Sequence, residues 1–158
     1  MLANGDIKTV GVGDWSATSN GGTTLTKQTA SPYEGAQVLR VAPVTTSSAA
    51  SQSGVTISGN RYIFSGSSRG DGSRYPRFFA GGGYQWTGTD SITWQDATVD
   101  YTATDTAFRL YCTTAAGGYT EWDGVSFENL SVTAVAPDDA ATLTGSLART
   151  NKRCTKRN

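Results

Sequence analysis

The sequence predicts an all-β protein, a sandwich or a barrel, and three observations lead there. Short runs of β-branched and aromatic residues recur along the 158-residue chain with turn residues between them. No segment sustains a helical hydrophobic period over three turns. Gly, Ser and Thr are abundant, and seven Tyr, five Phe and four Trp supply the large side chains, a composition suited to pleated, half-buried surfaces. A chain of this length matches one domain with a real core.

Taken in order, strands are expected near residues 5–12, 23–29, 37–43, 49–58, 61–69, 75–80, 92–102, 106–114 and 119–134. The turns between them read as "SNGG" at 19–22, "SGN" at 58–60, "RGDGS" at 69–73, "AGGG" at 80–83 and "AAGG" at 115–118. These supply Gly, Asn and Asp where the backbone needs positive φ. Alternation assigns faces: Tyr62, Phe64 and Gly66 oppose Arg61, Ile63 and Ser65, while Phe108, Leu110 and Cys112 oppose Arg109, Tyr111 and Thr113. Large residues stand on both faces, so one joins the core and the other stays wet or forms a concave outer surface. The domain is expected to span 1–136. Residues 137–158 open with Pro137 and an Asp pair suited to a helix start, and form a basic C-terminal tail with room for one short helix.

The composition excludes much chemistry. With no histidine, Ser-His-Asp and Cys-His activation and imidazole zinc ligation are absent. Cys112 and Cys154 are placed as lone thiols, which suits a reducing cytosol. The start "MLANGDIKTVGVGDW" has no basic segment followed by an apolar run, so the protein is expected to be made in the cytoplasm without a signal peptide. No stretch approaches a membrane span, and no membrane partner is expected. Residues 1–136 carry eight Lys/Arg against eleven Asp/Glu, and 137–158 carry five against two. The tail reads as a solvated or protein-docking extension rather than a nucleic-acid contact.

The order "NGDI", "DW", "QVLRV", "GNRYIFSGSSRG", "ITWQDATVDYTAT", "FRLYC" and "EWDGVSF" resembles the carbohydrate-binding-module families with a jelly-roll, galactose-binding-like fold, of the type often attached to xylanases and glucanases. Asn4-Gly5-Asp6-Ile7, Trp15 and Asp123-Gly124-Val125 occupy the family's landmark places. The resemblance covers roughly 1–134. It implies an antiparallel jelly-roll β-sandwich with a short C-terminal extension. It also implies a structural calcium, though no cofactor is required, held at Asp6 and Asp123 where first and last strands meet. The alternative for both carboxylates is capping turns or accepting backbone N–H groups.

Sugar binding needs flat aromatic faces and planar hydrogen-bonding groups. The candidates are Tyr84, Trp86, Arg109, Tyr111 and Trp122, with Tyr75 and Tyr119 as further rings and Arg40 as a further donor. Trp15 and Trp94, and also Trp122, compete as core residues, because a jelly roll poor in Leu and Ile needs aromatic volume. Exposed aromatics and arginines serve protein interfaces equally well. Glu121 and Asp123 share one face of a single strand and are poorly placed to flank a glycosidic bond, so no catalytic residue is assigned. Arg69-Gly70-Asp71 reads as a turn, and the sequon at Asn129 has no meaning outside a secretory pathway.

The chain starts at Met1 almost directly in its first strand and shows no catalytic partner. In this it resembles accessory virion proteins of tailed bacteriophages. The resemblance implies a non-enzymatic virion structural protein, a capsid decoration or cement protein. Such a protein forms a homo-oligomer, dimer or trimer, bound to other virion proteins such as the major capsid protein. The alternative is a glycan-binding adhesion module, either a tail or fibre attachment domain or the binding module of a carbohydrate-active system.

Overall fold

In the computed structural model, which describes residues 14–18, 22–44, 48–113 and 117–131, the alternating runs become ten strands. They are β1 (Ser16–Thr18), β2 (Thr23–Gln28), β3 (Val38–Pro43), β4 (Ser48–Ser53), β5 (Arg61–Arg69), β6 (Pro76–Ala80), β7 (Gly83–Thr87), β8 (Gln95–Thr102), β9 (Ala107–Cys112) and β10 (Thr120–Asn129). Every pairing is antiparallel. Two five-stranded sheets result, in the orders β1-β4-β9-β6-β7 and β2-β3-β10-β5-β8. Only β2-β3 and β6-β7 are consecutive strands paired within one sheet, and the other connections pass from one sheet to the other. No helix long and apolar enough to cross a membrane occurs among the described residues.

Inward-facing aromatics hold the sheets together. Phe64 of β5 and Phe78 of β6 come from opposite sheets and stack with ring centroids 4.0 Å apart and planes 13° from parallel. Phe108 packs 5.2 Å from Phe78 and 5.9 Å from Phe64. Trp15 closes one side of this group against Phe108, so its expected place in the core is where it lies. Tyr62, Tyr101 and Phe127 extend the cluster. Cys112 is a small buried member of the same core. Its thiol pKa is pushed up to about 12, chiefly by burial.

Several elements depart from expectation. The strand near 5–12 and the tail 137–158 lie outside the described residues. The segment 49–58 ends as a strand at Ser53, and β8 begins at Gln95 rather than 92. β1 and β7 were not expected. β7 was hidden because the "AGGG" turn, with Gly81 and Gly82 at φ 59° and 80°, leads into a strand whose alternation is broken. Phe78 pairs with Trp86 and Phe79 with Tyr84, which leaves Gln85 as a bulge. Tyr84 and Trp86 therefore turn to opposite faces although they are two residues apart. Trp94 does not join the core and lies instead outside the second sheet, half-buried.

Phe64→Ala removes one ring of the cross-sheet stack and is expected to cost about 3–5 kcal/mol, read as a lowered denaturation midpoint at unchanged slope. Cys112 sets an alkaline dependence. The unfolded thiol ionises near 8.5 and the folded one near 12. The stability it contributes is complete below the unfolded value and is lost as pH rises toward the folded one. In a Cys154→Ser background at pH 8, a thiol reagent should label Cys112 only at the rate of unfolding; rapid labelling of the native chain would contradict this packing.

Candidate functional site

The outer face of the first sheet gathers an aromatic and cationic cluster. Arg77 and Phe79 project from β6 opposite inward Phe78, and Arg109 and Tyr111 project from β9 opposite inward Phe108 and Leu110. The register sets Arg77 beside Tyr111 and Phe79 beside Arg109. These four side chains form a checkerboard, with the Phe79 and Tyr111 rings 6.0 Å apart on one diagonal and the two arginines on the other. Tyr84 joins from β7, its ring 5.6 Å from Phe79 and 5.4 Å from Tyr111; it is 48% exposed. Arg109 lies 5.2 Å from the Phe79 ring, and Arg77 lies 4.6 Å from Tyr84 and 4.9 Å from Tyr75. Arg77 Nη2 donates to the Tyr75 hydroxyl at 3.0 Å. Beside Arg109 a hollow of about 170 Å³ is lined by Thr18, Ser51, Ser53 and Thr106. Flat apolar rings next to fixed N–H and O–H groups suit a ligand with apolar faces and a hydroxylated rim.

Three of the six expected partner-binding residues, Tyr84, Arg109 and Tyr111, meet here. Arg77 and Phe79 were missed, although alternation in "PRFFA" would have found them once Phe78 was assigned inward. Trp86 is turned away by the Gln85 bulge and packs on the core, 6.0 Å from Trp122. Trp122 is fully buried, with Phe64 and Trp86 against it. It fills the core, as its competing reading had it, and offers no ring face to a ligand.

Arg40 belongs to the opposite sheet and is committed there. Its Nε and Nη2 both donate to Glu121 Oε1, at 3.0 and 2.7 Å, and its guanidinium lies 3.7 Å from the Tyr119 ring. Arg69 Nε and Nη2 reach Glu121 Oε2 at 2.7 and 2.6 Å. Pairing of β10 with both β3 and β5 puts Glu121 directly between the two arginines. One carboxylate, none of it exposed, is thus forked from both sides. Arg69 also donates to Ala30 O, and Trp94, 4.7 Å from that guanidinium, donates Nε1–H to Ser31 O. The loop 29–37 is tied over this face.

Asp123 serves the same loop. Its Oδ2 accepts the Glu34 N–H at 2.9 Å and its Oδ1 the Gly124 N–H at 2.8 Å. Burial pushes its carboxyl above the usual range, against the lowering effect of the N–H groups of Glu34, Gly124 and Tyr33. Asp123 thus takes the alternative role expected for it, accepting backbone N–H groups. No cluster of three acidic or sulfur groups suited to a metal occurs among the described residues, and Asp6 lies outside them. The Arg69-Gly70-Asp71 turn is likewise internal. Burial raises the Asp71 pKa, but hydrogen bonds from the Ser73 hydroxyl and the Ser73, Tyr119 and Arg74 N–H groups bring it below the usual carboxylate range.

No protein-family model matches the sequence, and no curated protein is significantly similar to it. Solved structures do match in fold. A family 61 carbohydrate-binding module in complex with β-1,4-galactotriose superposes with a TM-score of 0.60 at 13% identity, over 81% of this chain and 97% of that one. The fold is the jelly roll of carbohydrate-binding modules. The CBM22-1 xylan-binding domain of a Paenibacillus barcinonensis protein gives a TM-score of 0.54 at 18% identity, covering 75% of this chain and 87% of its own. The enzymatically active domain of tailspike protein 4 from bacteriophage CBA120 gives 0.58 at 12% identity, over 82% of this chain and 21% of that one.

Glu121→Ala leaves two arginines facing each other with no counter-charge and is expected to cost about 3–5 kcal/mol. The exposed Arg61 and Asp100 pair is the control: Asp100→Asn should leave the denaturation midpoint unchanged. Equal effects from the two variants would show that Glu121 does not organise its sheet.

Proposed function

We propose that this domain is a non-catalytic glycan-binding module whose ligand lies across the outer face of the first sheet. The observation that carries the reading is the convergence of Tyr84, Phe79 and Tyr111 with Arg77 and Arg109 on one open surface. Aromatic rings supply apolar planes for pyranose faces, and the guanidiniums and neighbouring hydroxyls supply donors and acceptors for the sugar rim. The fold likeness supports the same reading, since solved proteins of this shape include modules described as binding xylan and galactotriose. The acidic pair offers no competing chemistry: Glu121 is enclosed by two arginines and Asp123 by backbone N–H groups.

A virion is a setting in which such a module would act as a tail or fibre attachment domain, and the fold likeness to a phage tailspike domain supports that placement. Capsid decoration draws no support from the described residues, and the tail 137–158, the expected protein-docking extension, lies outside them. Binding to a glycan array separates the readings. Tyr84→Ala and Tyr111→Ala should each weaken retention tenfold or more, about 1.4 kcal/mol, with unchanged melting temperature. Removal of 137–158 should leave retention intact. A chain that binds no glycan but assembles through its tail would overturn the proposal.

A further inference from the structure

We infer that the glycan is acidic: the face carrying Tyr84 and Tyr111 takes a saccharide bearing carboxylates, of the uronate class, and Arg77 and Arg109 select it. This rests on the glycan-binding reading and names the ligand class for the same face.

The first support is the difference in charge between the sheets. The strands of the second sheet mix both signs, with Asp96, Asp100, Glu121, Asp123 and Glu128 beside Lys27, Arg40, Arg61 and Arg69. Those of the first sheet carry no Asp or Glu, and their only charged residues are Arg77 and Arg109. Residues 1–136 as a whole are acidic, eleven Asp/Glu against eight Lys/Arg, so this sheet runs against the balance of the body around it.

The second support is pairing. Arg40 and Arg69 share Glu121, and Arg61 holds Asp100. Arg74 donates to the Gly117 and Ser73 carbonyls. Arg77 and Arg109, in contrast, form no ion pair among the described residues. Among the same residues Arg77 has one hydrogen bond, to the Tyr75 hydroxyl, and its buried Nε has no acceptor. The Arg109 guanidinium lies over the Phe79 ring. Two guanidiniums with unused donors, fixed by aromatic rings on one checkerboard, are set to receive a planar acceptor in a forked, charge-assisted contact. A carboxylate on a sugar ring meets that requirement while the ring itself lies on Tyr84 or Tyr111. Neutral hydroxyls would accept from these donors without that charge assistance.

The test uses the full chain against polygalacturonate, alginate and glucuronoxylan, each beside its carboxyl-reduced counterpart. Dextran sulfate and a neutral panel of xylan, galactan and β-glucan complete the set. Expected is binding to at least one native acidic polymer, weakened tenfold or more by carboxyl reduction and by Arg109→Gln, and falling as salt rises from 50 to 500 mM, concentrations over which exposed charges become strongly screened. Arg77→Gln should act in the same direction. If that variant fails to fold, the carboxyl-reduced polymers on the unaltered chain still decide the matter. Equal binding to native and reduced polymers would overturn the inference and leave glycan binding standing. Dextran sulfate bound as tightly as any uronate polymer would overturn the choice of carboxylate. Failure to bind every polymer, neutral ones included, would overturn the reading beneath it.

Discussion

The stacking of Phe64 on Phe78 is the contact on which the rest of this structure depends. Two sheets about 10 Å apart must be bridged by side chains, and the inner faces here are filled largely by aromatic rings. Each ring fixes the side of the strand that faces inward. Once Phe78 is inside, Arg77 and Phe79 must be outside; once Phe108 and Leu110 are inside, Arg109 and Tyr111 must follow Arg77. The aromatic and cationic outer face is thus a consequence of core packing, carried through the pleat by strict alternation.

The two outer faces answer the same problem in different ways. The second sheet neutralises its charge internally, with Glu121 between Arg40 and Arg69. Desolvation of such a group is expensive and is offset only by good geometry, here two guanidinium forks. The return is structural, since Arg69, Trp94 and Asp123 together hold the loop 29–37 over that face. On the first sheet the arginines lie against rings and have no counter-ion among the described residues. Stacking fixes a guanidinium without consuming its donors, which keeps it available to a ligand.

Strands were legible where alternation was uninterrupted. β5 over 61–69 and β9 within 106–114 follow the period-2 pattern, and the residues expected to share a face do so, while which face turns inward came from the packing. β7 was not legible, because a bulge reverses the face of Trp86 relative to Tyr84 and a glycine-rich turn precedes it. Trp94 was assigned to the core on bulk alone, yet its indole N–H found the Ser31 carbonyl and its ring found Arg69 outside the sheet. Trp122 had two readings from sequence, and only the packing of Phe64 and Trp86 around it chose between them.

The sequence by itself determined the all-β class, most strand positions, the facing of residues within each uninterrupted strand, and the absence of histidine chemistry. Those properties are local, written in composition and in a period of two. Tertiary structure decided which residues share a site. Arg40 and Arg109 look equivalent in sequence, each an arginine among strand residues, but Arg40 finds Glu121 across 81 positions of chain and is spent. Arg109 finds a ring and stays open. Strand order and register make that difference, and they come from non-local pairings that no local pattern encodes.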